Sequence, residues 1–255
     1  MHKQEEKLKQ LLSYQPFDDR PGRQEVLEKR KKQAEAFVEI ENGIAVLSDY
    51  LHARSYIWAG SFGRLIGIGH SPATISSAFE DEIFSCLLPE DLVERHVLEL
   101  HYYRFMQSVP TDARQDYHTL CQIHFRLANG SVAPVLHRTC YLESLPNGSI
   151  WLALCLYTPC GSAEGQRAIP PQIVNHATGE TIPYDRYGQL DRQLLSPREV
   201  EVLTLLARGC SSKQVARQLC IATNTVYRHR QNILAALQVS NTAMAVQIGI
   251  RLGLI

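Results

Sequence analysis

The chain has 255 residues, 45% hydrophobic and 20% charged, enough for one large domain or two ordinary ones with separate cores. This excludes a disordered or fibrous protein, and the longest apolar run, near Ile150 to Leu156, is far short of the roughly 20 residues of a membrane helix. Seven cysteines without a CxxC pair argue against a disulfide framework or zinc ribbon, and "MHKQEEKLKQLL" has no signal-peptide core, so the reading is a cytoplasmic chain with reduced thiols.

In chain order, residues 1–36 read as an N-terminal helical segment. Its main helix, "GRQEVLEKRKKQAEAFVEIEN", runs over 22–42 and is stopped by Gly43. "IAVLSD" and "SYIWA" then read as short strands, and an acidic helix lies between "LPEDL" and Met106. Three strand-like runs follow: "YHTLCQIHFRL", "SVAPVLHRTCYLE" and "SIWLALCLY". In the first, Tyr117, Thr119, Cys121, Ile123, Phe125 and Leu127 alternate with His118, Gln122, His124 and Arg126. The joints "ANGS" and "PNGS" predict hairpins with type I′ turns, because Asn and Gly tolerate positive φ. Both also match a glycosylation sequon, which carries no weight without a secretion signal. Residues 37–160 are thus expected to form an α+β domain with an antiparallel sheet. Residues 161–194, richer in Gly, Pro and polar residues, read as a linker with room for a small hairpin around "HATGET".

The zero net charge is unevenly spread. From Leu195 onward seven basic residues face two acidic ones, a balance of +5 over 61 residues, and the preceding 194 carry −5. Such a split fits a polyanion partner for the C-terminal part or a chance asymmetry. Four helices are predicted here. "SPRE" is a capping box with proline at the first helical position, and Gly209 stops the helix it opens. "SSKQ" contains a second box, from Ser211 to Gln214, opening a short helix, and a turn at Cys220-Ile221-Ala222 leads into a third. That succession makes a helix-turn-helix.

On the third helix, at 100° per residue, Val226, Ile233 and Leu237 share one side. Asn224, Arg228, Gln231 and Ala235 lie opposite, flanked by Tyr227 and Asn232. No carboxylate occurs from Lys213 to Ile255. Arg and Gln can hydrogen-bond base edges, whereas carboxylates would be repelled by phosphates, so this face is expected to read DNA. His229 is either a packing residue or a contact, and Arg230 has a stem near the apolar side with a guanidinium free to reach phosphate or a helix end. The last helix, "SNTAMAVQIGIRLGLI", is apolar on nearly every side. A second partner is therefore expected, most economically a second copy of the chain meeting at Met244, Val246, Gln247 and Ile250.

Residues 195–255 resemble the LuxR/GerE-type DNA-binding domain, through Leu195, Pro197, Arg198, Glu199, Leu203, Gly209, Ser211, Lys213, Ala216, Leu219, Ile221, Thr225, Val226, His229, Asn232, Ile233, Leu237, Val239, Ala245 and Val246. The resemblance implies that the third helix enters the major groove and the fourth supports dimerisation. It implies base contacts at Tyr227, Arg228 and Gln231, and backbone approach around Lys213, Thr225, His229 and Asn232. With Thr223, Asn224 and Arg230 these complete the expected DNA-contacting set. Two departures stand out. Ala222 replaces the usual capping serine, costing ~1 kcal/mol unless Thr223 substitutes, and Met244 stands where an acidic residue is common.

The order of elements over 37–160 resembles a PAS-like sensor. "GIAVLSDYLHARSYIWAGSFGRLIGI" matches its opening strands and short helix, "LPEDL" its mid-domain turn, and "FRLANGSVAPVLHRTCYLESLPNGSIWLALCLYTP" its closing meander. The helix at 22–42 would then be the flanking helix that often pairs such domains. A phospho-receiver lacks its βαβ repeats here, and a homoserine-lactone domain lacks its aromatic and Asp spacing. His118 and His124 lie six residues apart on one strand, roughly 20 Å, and His96 and His101 are out of line on a helix, so neither pair chelates locally and no metal or cofactor is expected. No nucleophile–base set points to an enzyme.

The expected architecture is therefore an α+β PAS-like domain, a linker and an all-α four-helix helix-turn-helix domain. The expected function is sequence-specific DNA binding by a homodimer on paired half-sites. An unidentified small-molecule signal and RNA polymerase are further partners open to such a regulator; a membrane is not. Two alternatives stay open: C-terminal helices that bind a protein, and a ligand-processing enzyme in the N-terminal domain.

Overall fold

The computed structural model describes residues 3–17, 22–69, 71–161, 169–182, 195–237, 239, 241–251 and 254–255. Its first part is an eight-stranded sheet in the order β3-β2-β1-β6-β5-β4-β7-β8, with every neighbouring pair antiparallel. The strands are β1 (Ile44–Asp49), β2 (Arg54–Ala59), β3 (Ala73–Ile75), β4 (Tyr117–Arg126), β5 (Val132–Ser144), β6 (Ile150–Pro159), β7 (Gln172–Asn175) and β8 (Glu180–Ile182). The helices of this part are α1 (Lys3–Ser13), α2 (Arg23–Glu41), α3 (Ser61–Leu65), α4 (Asp81–Phe84) and α5 (Pro89–Gln107).

The sheet is covered on both faces at one end. Leu27, Ala34 and Val38 of α2 pack on Ala45, Leu47, Trp58, Leu152, Leu154 and Leu156. On the other face Leu98, Tyr102 and Met106 of α5, with Leu8 and Leu12 of α1, cover Val46, Ile57, Ile123, Phe125, Cys155 and Tyr157. This double cover explains why β1 and β6 are buried at nearly every position, whereas β4 buries only alternate residues. The helix at 22–42 thus lies against the sheet of its own chain.

The hairpins form where expected, but with a different turn. Asn129 and Asn147 do not have positive φ; only Gly130 (83°) and Gly148 (87°) do. Leu145 N–H donates to the Ser149 carbonyl at 2.7 Å and Gly148 N–H to the Leu145 carbonyl at 2.8 Å, a pattern repeated at Leu127, Gly130 and Ser131. This is a three-residue loop ending in a left-handed glycine. At the second site Pro146 would occupy the first position of a type I′ turn, where it has no N–H to donate back to Ser149. The asparagines serve otherwise: each Oδ1 accepts the backbone N–H of the serine two residues on. The "HATGET" hairpin also forms, as β7–β8, and extends the sheet beyond β4. The flanking parts of the expected linker, 162–168 and 183–194, lie outside the described residues.

Inside the core, Arg95 of α5 donates from Nη1 to Glu99 Oε2 at 2.8 Å and from Nη2 to Glu80 Oε1 at 3.3 Å, all three side chains being buried. The Tyr157 hydroxyl donates to Glu80 and the Thr139 hydroxyl to Glu99. Burial raises the Glu99 carboxyl above its ordinary range, with Arg95 pulling the other way. The space beside this cluster is only about 10 Å³, room for about one water.

The second part is α6 (Pro197–Ala207), α7 (Ser212–Gln218), α8 (Thr223–Leu237) and α9 (Thr242–Arg251). Both capping boxes form, Ser196 with Glu199 and Ser211 with Gln214. Its core gathers Val202, Leu203, Val215, Val226, Ile233, Leu237, Ala245 and Ile248. Val93 and Val97 of α5 belong to the same apolar cluster, so the two parts of the chain touch. Among the described residues no single helix is long and apolar enough to cross a membrane.

Candidate nucleic-acid interface

Helix α8 is held by its apolar stripe. Val226, Ile233 and Leu237 are each 1% exposed or less, and this fixes which residues turn outward. Asn224, Thr225, Tyr227, Arg228, Gln231 and Asn232 are all exposed, and Tyr227, at 50%, is among the most exposed large apolar side chains. Asn224, Arg228 and Gln231 are spaced by four and three residues and therefore share one ridge. Lys213 is exposed on α7, and Thr223, half-buried, opens α8. The α7–α8 turn forms a concave groove lined by Lys213, Arg217, Cys220, Ala222 and Thr223. Arg217 was not among the sequence candidates. It is exposed beside Lys213, and its signal was a basic residue in the last turn of α7.

Three candidates are engaged within the domain. Arg230 donates from Nη1 to Ser212 Oγ and from Nη2 to Thr242 Oγ1, both at 2.7 Å, tying α7 and α9 to α8. Its guanidinium reaches two helix N-termini rather than solvent. His229 and Asn232 face Glu199 of α6. Burial alone would raise the Glu199 carboxyl, but hydrogen bonds from Ser196 and Asn232 and the charge of His229 outweigh it and hold the carboxyl below its usual range. The exposed ridge of α8 still carries no acid of its own.

Residues 193–248 match the family described as bacterial regulatory proteins of the luxR family. The C-terminal part is a LuxR-type helix-turn-helix domain. Two curated sequences are similar to part of the chain. The uncharacterized transcriptional regulatory protein YhcZ of Bacillus subtilis is 35% identical over 88 residues, which is 34% of this chain and 39% of that one. The transcriptional activator protein ExaE of Pseudomonas putida is 38% identical over 68 residues, or 27% of this chain and 32% of that one. The chain thus spans under two fifths of the length of these relatives. Among solved structures, the VqmA dimer of Vibrio cholerae without target DNA covers 89% of this chain and 88% of its own at 17% identity, with a TM-score of 0.30. A phage VqmA–DPO complex covers 89% and 91% at 13% identity and a TM-score of 0.29. These scores are too low to carry an argument.

Of the residues expected at a dimer contact of the LuxR-type domain, Val246 is half-buried and Ile250 is 59% exposed. Met244 and Gln247 instead border a cleft of about 340 Å³ against Leu88, Glu90, Asp91 and His124 of the N-terminal part. Part of the apolar surplus of α9 is therefore met inside the chain.

Proposed function

We propose that the protein is a sequence-specific transcriptional regulator. Its LuxR-type domain, over 195–255, reads DNA, and a PAS-like sensor domain controls it. The carrying observation is the α8 ridge of Asn224, Tyr227, Arg228 and Gln231: exposed, free of carboxylates and backed by a packed support. Arg228 and Gln231 read base edges, Tyr227 packs on them, and Lys213 and Thr225 approach phosphates with Arg217 beside them. Arg230 acts from behind as a brace. The seven free cysteines suit a reducing, cytoplasmic setting.

The PAS-like reading of the N-terminal domain is supported by its central strand order, β2-β1-β6-β5-β4, with the helices inserted between β2 and β4. The domain limits we propose are 1–36 for the helical segment, 37–160 for the sensor and 161–194 for the connection, whose β7–β8 hairpin rests on the sensor. A homodimer on paired half-sites meets through Val246 and Ile250, and also through Met244 and Gln247 once α9 leaves α5. A small-molecule signal works by shifting the population between docked and released α9.

Binding of the full chain to duplex oligonucleotides, selected from a random pool, is the test. Arg228→Ala should relax preference at one position per half-site by ~1–3 kcal/mol, and Lys213→Ala should weaken all sequences about equally while lowering the salt slope by about one. Unaltered preference in Arg228→Ala, or affinity that ignores salt, would overturn the assignment.

A further inference from the structure

Strand β4 and the β7–β8 hairpin bring together two histidines that DNA reading does not use. His118 stands in register with Val174 on β7. His176 follows two residues later and so turns to the same face of the sheet. Its backbone N–H donates to the Asp116 carbonyl at 2.8 Å. Backbone bonds on both sides therefore set the two positions before the side chains interact. The rings stack at 29° with centroids 5.6 Å apart, and their Nδ1 atoms are 3.4 Å apart.

In the ion-free chain this contact is a hydrogen bond between the two rings, and the same separation also fits a shared ion. Two imidazole nitrogens bound at 2.0–2.1 Å to one tetrahedral ion lie about 3.4 Å from each other. A neutral imidazole keeps a lone pair on one ring nitrogen, and that is the form that ligates a metal. The remaining question is which ion suits such a pair. Imidazole favours Zn²⁺, Ni²⁺ and Cu²⁺, whereas Mg²⁺ and Ca²⁺ require oxygen donors.

We propose that His118 and His176 form a two-histidine site for a divalent transition-metal ion. Among the described residues no cluster of three His, Cys, Asp or Glu side chains is present, so the ion keeps two coordination positions for water or an outside donor. The ion would staple the β7–β8 hairpin to β4, at the start of the stretch that leads to α6. The site stands independently of the DNA-binding reading.

The test uses the full chain without an affinity tag, stripped with chelator and titrated calorimetrically with Zn²⁺ and Ni²⁺. One strong site per chain is expected, and His118→Ala and His176→Ala should each weaken it about tenfold or more. His124→Ala, whose ring bonds Asp91 at 2.9 Å, should leave it unchanged. Zn²⁺ should raise the Tm of the native chain more than that of either variant, and Mg²⁺ should not. His118 is half-buried and His176 exposed, so equal Tm values in chelator would show that both variants fold. Absence of saturable binding by the native chain, or native affinity in both variants, would overturn the site.

Discussion

At the scale of single residues, Arg228 and Arg230 show how two cations two positions apart do different work. Arg228 lies on the exposed ridge, while Arg230 binds two hydroxyls and joins three helices. Arg230→Ala should therefore destabilise the C-terminal domain by about 1–3 kcal/mol, the usual cost of losing charge-assisted hydrogen bonds. Arg228→Ala should leave stability within about 0.5 kcal/mol. Thermal unfolding of the two variants checks this, and equal losses would contradict the division of roles. Sequence periodicity placed Arg230 near the apolar edge. It could not supply Ser212 and Thr242, which only the packing of α7 and α9 brings within reach.

At the scale of elements, punctuation was more informative than propensity. Both capping boxes form and the apolar stripe of α8 is buried as its spacing implies. The third N-cap is the exception. Helix α8 starts at Thr223, so the capping position falls to Ala222, which has no side-chain oxygen. Ala222→Ser should stabilise the domain by ~1 kcal/mol, read as a higher Tm; no gain would mean that Thr223 already caps the helix. The hairpin turns teach a related lesson. The Asn-Gly pair located both turns, but only the glycine of each pair takes positive φ, and each asparagine instead holds the serine two residues on through its side chain. The pairing of His118 with His176 was illegible for a different reason: it depends on β7 lying beside β4, a contact between distant segments that no local pattern encodes.

At the scale of the molecule, two features join regions far apart in sequence. The first is the buried ion cluster. Removing Arg95 leaves Glu80 and Glu99 without their cation inside the core, so Arg95→Met should cost about 3–5 kcal/mol. Urea unfolding measures this, and a loss below about 1 kcal/mol would show that the carboxylates neutralise freely. The second is the contact of Val93 and Val97 with the C-terminal core. Placing a charge there, as in Val93→Asp, should uncouple the two parts, so that calorimetry shows one transition in the native chain and two in the variant. Two transitions in the native chain would show that the contact binds weakly.

Helix α5 belongs to both features. Val93 and Val97 lie about 200° around its axis from Arg95 and Glu99, two residues being two steps of 100°. One flank grips the ion cluster and the other touches the C-terminal helix-turn-helix domain. A small roll of this rod cannot be absorbed on either flank alone: whatever displaces the guanidinium also drags the valines across α9, as a key turns the far end of its own shaft.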